Sequence, residues 1–121
     1  HYPGNALKTD GPSAGLAMTC AMISTFTDRP LRSDVAMTGE ISLRGRVLAI
    51  GGVKEKLLAA HARGMNLVFL PLENQSKLED LPDFVKDSME IRCVSSIDEV
   101  LPLVFESDEK RSFKENSIKN T

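Results

Sequence analysis

Ser13 and Lys56 are the two side chains in this sequence whose surroundings could support chemistry. Ser13 lies in Asp10-Gly11-Pro12-Ser13-Ala14-Gly15, where three turn formers lead into the start of an apolar run, Leu16-Ala17-Met18. Asp10, Gly11 and Pro12 each favour a turn for a different backbone reason. The small Ala14 and Gly15 let another backbone pass close to the hydroxyl. The unpaired N–H groups of a helix start create a positive potential, and the backbone N–H groups at Ser13 and Ala14 could hold a developing oxyanion there. The same position is also that of a helix N-cap, which is the commoner use of a serine before a helix. On these six residues alone both readings stand.

A serine is a weak nucleophile without a neighbouring base. The histidines are His1 and His61. His61 falls late in a predicted helix, where an ordinary, partly exposed residue is the simpler reading. A lysine base must be uncharged, which means bringing its pKa from about 10.4 toward ~7–8, against roughly 4 kcal/mol. Desolvation and positive potential are the two means of doing so. In Gly51-Gly52-Val53-Lys54-Glu55-Lys56-Leu57-Leu58-Ala59-Ala60-His61, the residues Val53, Lys56, Leu57 and Ala60 share one helical stripe. That spacing predicts Lys56 on the core side, in a first turn whose dipole opposes a cation. Lys54 falls off the stripe and is expected in solvent. A Lys56 that snorkels out past Leu57 fits the segment as well.

The elements that must position these two residues follow from apolar periodicity. Residues 1–9 (HYPGNALKT) read as a loop or a frayed strand end. Residues 14–27 are apolar on nearly every side, which predicts a helix enclosed by other layers, ended by Asp28-Arg29-Pro30. Ile41, Leu43, Val47 and Ala49 alternate around Arg44-Gly45-Arg46, the pattern of a hairpin. A helix over 53–63 is closed by Gly64 at C′. Leu67–Pro71 reads as a buried strand. Two short helical pieces follow, 75–81 and 82–87, the second begun by Pro82. Met89–Val94 alternates as a strand, and 97–104 is a last short helix. Strands interleaved with helices give the α/β (α+β) class, a small mixed sheet with helices packed around it. Residues 106–121 are charged, with Phe113 and Ile118 the only large apolar side chains, and are expected to be disordered.

Three motifs in order, DGPSAG at 10–15, AMTGEISLRG at 36–45 and GGVKEKLLAAH at 51–61, resemble the proteolytic domain of the ATP-dependent Lon proteases. The resemblance covers roughly residues 6–104, which makes residues 1–105 the domain and leaves the tail unmatched. It implies a Lon-type fold, a serine endopeptidase activity against misfolded and regulatory proteins, Ser13 as nucleophile and Lys56 as general base. It also implies that Thr38 helps hold the lysine, that Glu40 lies close to the site, and that Asp10 sits on a loop governing access to the serine. A homo-hexameric ring, and an ATPase module using ATP and Mg²⁺ upstream of this segment, are implied in the same way. The family commonly reads Pro-Glu-Gly-Ala-x-Pro-Lys-Asp before the Gly-Pro-Ser, whereas here Thr9 stands where that lysine is usual.

The totals bound the alternatives. With 121 residues the chain is one domain, and 41% hydrophobic with 26% charged residues is an ordinary globular composition. A formal charge of −2 gives no dominant basic face, which argues against nucleic acid as a partner. Cys20 and Cys93 have no metal-binding or disulfide spacing, so no metal or cofactor is expected within the segment and a reducing compartment is. No apolar run has the length of a membrane span. A bacterial cytoplasm is the expected location, an organelle being compatible. The sequence opens at His1 rather than methionine and reads as a piece of something longer. Competing functions are a non-catalytic Lon-fold scaffold or DNA-associated module, a Ser–Lys hydrolase of the signal-peptidase or amidase type, and an inactive fragment.

Overall fold

The computed structural model describes residues 15–107; the expected loop over 1–9 and nearly all of the expected disordered tail lie outside them. Helix α1 spans Gly15–Thr27 and stops where Asp28 turns left-handed (φ 52°) ahead of Pro30. Strand β1 (Val35–Met37) follows. The predicted hairpin is present as β2 (Glu40–Ile41) and β3 (Val47–Leu48), paired antiparallel with Glu40 opposite Leu48. Its turn is tied by Ser42, whose N–H donates to Arg46 O at 2.9 Å and whose carbonyl accepts from Gly45 N–H at 2.9 Å. Leu43, expected to alternate with the inward apolar residues, stands fully in solvent at this turn, because the chain reverses before the alternation reaches the core.

Helix α2 runs Val53–Ala62, and Gly64 just beyond it adopts φ 75°, the conformation expected at C′. Strand β4 (Leu67–Pro71) is buried at every residue, as its unbroken apolar run predicts. After it the expected pair of helical pieces is realised differently. 3-10 turns occupy Leu72–Asp80, and α3 (Asp83–Ser88) takes Pro82 as its N-cap rather than its first residue. The first piece starts early, at Leu72, directly after Pro71 closes β4 in an extended conformation (φ −60°, ψ 137°). Strand β5 (Glu90–Val94) precedes a 3-10 turn at Ile97–Glu99 and α4 (Leu101–Val104). The 3-10 turn starts with a capping box: Ser96 Oγ accepts from Asp98 N–H, and Glu99 Oε2 accepts from Ser96 N–H at 2.9 Å.

The three longer strands form a parallel sheet in the order β1-β4-β5, with Val35 opposite Leu67 and Leu67 opposite Glu90. Strand alternation splits the core into two layers. Val35, Leu67, Phe69 and Val94 pack with Leu16 and Cys20 of α1 and with Val100 and Val104. Val68 and Leu70 face the other way, against Val53, Leu57 and Ala60 of α2 and Val85 of α3. Leu57 is fully buried, worth on the order of 2–3 kcal/mol of apolar transfer.

Helix α1 is not enclosed as its composition predicts. Leu16, Ala17 and Cys20 are buried, but Met18, Met22 and Phe26, four residues apart on one stripe, are 42%, 48% and 85% exposed. The sheet meets only one side of the helix, and no second layer covers the opposite side among the described residues.

The amino ends of the parallel strands are laced together by polar groups. Asp34 receives a forked pair of hydrogen bonds from Arg32 (3.0 and 2.9 Å) and one from Asn66 Nδ2 (3.1 Å). Asn66 N–H in turn donates to Asp34 O, and Glu90 N–H to Asn66 O, each at 2.8 Å. The hydrogen bond from Arg32, helped by that from Asn66, holds the Asp34 carboxyl down at about 2. The opposite, carboxyl ends of the strands are where the candidate site gathers.

Candidate active site

Open parallel sheets bind ligands outside the carboxyl ends of their strands. Here the chain leaves β1 as Thr38-Gly39-Glu40 and immediately meets the start of α1. Leu16 N–H donates to Gly39 O at 2.9 Å. A Cβ placed on Gly15 would come within 3.0 Å of Ile41 N, so that glycine is what lets the helix start lie against the hairpin. Gly39 has φ 149°, and a Cβ there would meet Val47 Cγ1 at 2.8 Å and Pro71 Cγ at 3.3 Å. Its lack of a side chain brings β1, β3 and β4 to one point. Ser13, Ala14 and Asp10 lie outside the described residues; Ser13 comes two residues before α1 begins.

Thr38 continues the ladder past β1, its N–H donating to Phe69 O at 3.1 Å. Ala36 packs with the α2 layer and Met37 with the α1 layer, so alternation assigns Thr38 to the α2 side. The residue is 8% exposed, and its hydroxyl has no hydrogen-bond partner among the described residues. A buried hydroxyl left unpaired costs on the order of 1–3 kcal/mol, a cost that folds tolerate chiefly where the group has work to do. Glu40 is half-buried beside the start of α1, where a carboxylate suits the helix dipole.

Lys56 occupies the first turn of α2, its N–H donating to Gly52 O at 3.1 Å. Its neighbours on the stripe, Val53, Leu57 and Ala60, are buried and Lys56 itself is half-buried, while Lys54 is exposed as its position predicts. The helix starts from Gly52 in the left-handed conformation (φ 68°) without a side-chain cap. His61 sits at the far end of α2, hydrogen-bonded to Ser88 Oγ at 2.8 Å and edge-on to Phe84, away from this edge. It is the ordinary helix residue its position predicts; His1 lies outside the described residues.

One residue of this edge has no signal in the sequence. Asn74, 6% exposed in the turns after β4, accepts from Ile50 N–H at 3.0 Å and donates to Ile50 O at 2.9 Å. Its neighbours, Glu73, Gln75 and Ser76, make the stretch look like any polar loop.

Comparison with known proteins decides what this edge belongs to. Residues 1–107 match the family model for the Lon protease C-terminal proteolytic domain. The chain belongs to that family. Similar Lon family members include a Lon protease of Acinetobacter baumannii (strain AB307-0294), 56% identical over 107 residues, 88% of this chain and 13% of that protein. Lon protease 2 of Sorangium cellulosum (strain So ce56) is 57% identical over 106 residues, 88% of this chain and 13% of its own length. The Lon protease of Escherichia coli (strain K12) is 53% identical over 108 residues, covering 89% of this chain and 14% of that protein. The chain therefore spans about one-seventh of the Lon proteins it matches. Its α/β fold, with a parallel sheet, an antiparallel hairpin and surrounding helices, is the Lon-type fold the motifs imply. No helix among the described residues is long and apolar enough to cross a membrane.

Proposed function

We propose that this segment is the peptidase part of an ATP-dependent serine protease, with Ser13 as nucleophile and Lys56 as general base. The observation that carries the reading is the convergence at the sheet's carboxyl edge. The start of α1, the Thr38-Gly39-Glu40 turn and the loop into α2 all arrive there, in a chain whose relatives are named proteases. Uncharged Lys56 accepts the Ser13 proton as the serine oxygen bonds to a peptide carbonyl carbon. The backbone N–H groups at Ser13 and Ala14 stabilise the tetrahedral oxyanion. Protonated Lys56 then returns the proton to the leaving amine as the C–N bond breaks. Water, deprotonated by the same lysine, releases the acyl group. Thr38 gives the amine a hydroxyl partner, Glu40 lines the site, and Asp10 belongs to the access loop.

Unfolded and regulatory proteins are the substrates, delivered by an ATPase module of the parent protein. ATP and Mg²⁺ act in that module, and no residue of this segment is assigned to them. A homo-hexamer in a bacterial cytoplasm completes the reading. The test is substitution in the full-length protein. Ser13→Ala and Lys56→Ala should each abolish peptide cleavage while ATP hydrolysis continues. Near-normal proteolysis in Lys56→Ala would overturn the base assignment.

A further inference from the structure

We infer that Asn74 is a positioning residue for Lys56, acting through the backbone of Ile50. This rests on the reading of Lys56 as the base. In the segment that delivers Lys56 to the edge, Ala49-Ile50-Gly51-Gly52, the Ile50 side chain packs against the Val53 and Leu57 layer, but the two glycines after it add no side-chain contact. A Cβ on Gly51 would find nothing within 4 Å, and Gly52 starts α2 without a side-chain cap. Apolar packing of Val53 and Leu57 holds the helix against the sheet, but the driving force for that burial is non-directional. Directional contacts must set its exact register, and the amide of Asn74 supplies two of them. It accepts from Ile50 N–H at 3.0 Å and donates to Ile50 O at 2.9 Å, as a neighbouring strand would.

The amide is suited to this by its chemistry, since it presents a donor and an acceptor in one plane. It is also well anchored. Asn74 follows shortly after β4, whose Pro71 packs beside Gly39, so the clamp ties the loop before α2 to the strand that frames Thr38. Ile50 is three residues ahead of the first residue of α2, close enough that releasing it alters where the first turn begins. A displacement of about 1 Å at a reacting group is enough to cost on the order of a hundredfold in rate.

The test is made in the full-length protease with a peptidyl diphenyl phosphonate in large excess, which phosphonylates the active serine in one exponential phase as the serine oxygen bonds to phosphorus and phenol leaves. The amplitude counts folded sites, and the rate constant reports how well the dyad is set. Asn74→Leu removes both hydrogen bonds at similar volume; Asn74→Asp keeps the acceptor and loses the donor. We expect the rate constant to fall about tenfold to a hundredfold in Asn74→Leu and to an intermediate value in Asn74→Asp, with the amplitude kept. Should Asn74→Leu fail to fold, Asn74→Asp alone decides. A lower amplitude with an unchanged rate constant would reduce Asn74 to a structural residue and overturn the inference. Lys56→Ala is run alongside. If it reacts at the normal rate, the reading of the base fails, whereas a dead Lys56→Ala beside a normal Asn74→Leu sinks the clamp alone.

Discussion

Thr38→Val should make the domain more stable and the enzyme worse. The substitution keeps the branched shape at a position that continues a strand, and exchanges only the hydroxyl for a methyl. In the described structure that hydroxyl is buried and unpaired, so the native fold carries a penalty of about 1–3 kcal/mol that valine does not. Taking the lower end, a gain of about 1 kcal/mol raises the melting temperature by roughly 3–4 °C for a domain of this size or somewhat larger. If the hydroxyl's work is to partner the Lys56 amine during turnover, its loss removes a hydrogen bond to a group that becomes charged, worth about 1.5–3 kcal/mol. That corresponds to roughly a tenfold to hundredfold fall in kcat/KM. Calorimetry of the full-length protease, following the transition of the proteolytic domain, gives the first quantity, and cleavage of a fluorogenic peptide the second. A melting temperature lowered by several degrees would mean that the hydroxyl is paired in the native state. Raised stability with unchanged kcat/KM would mean that it is idle.

Other substitutions test the frame around the site. Gly15→Ala adds a good helix former, yet its Cβ must sit 3.0 Å from Ile41 N, so α1 has to move off the hairpin. Peptide cleavage should fall severalfold or more, and full activity would show that the close approach does not matter. Asp34 tests the laced strand ends. Its carboxyl titrates at about 2 in the fold against 3.8 ordinarily, so its stabilisation is complete above about pH 4 and fades as pH drops toward 2. In Asp34→Asn, urea unfolding measured from pH 5 to pH 2 should lose that part of the pH dependence; an unchanged profile would contradict the low value.

Local signals carried far in this chain. The unbroken apolar run of β4, the glycine behind α2 and the turn residues of the hairpin each state their structure in a few adjacent residues. The half-burial of Lys56 follows from its place on the Val53-Leu57-Ala60 stripe. What failed to show is what depends on distant partners. The uncovered stripe of α1 is invisible in its composition, because an apolar side chain does not reveal how many layers surround it. Nothing local in the sequence marks Thr38 as buried; its burial comes from pairing beside Phe69, far along the chain. Asn74 had no signal because its two hydrogen bonds go to a backbone, which leaves no complementary side chain to notice. Ser13 falls outside the described residues.

The strand order has a bearing on how a newly synthesised copy behaves. Ser13, Thr38 and Lys56 all leave the ribosome before β4, yet among the described residues β1 is hydrogen-bonded to β4 alone, and β4 gains its other neighbour only when β5 arrives. Pairing between such distant segments is slow because the intervening chain must first be closed into a loop. Under the proposed function, the residues assigned to the dyad are thus made before the sheet that aligns them, and peptide cleavage by a nascent copy should begin only after β5 has been synthesised.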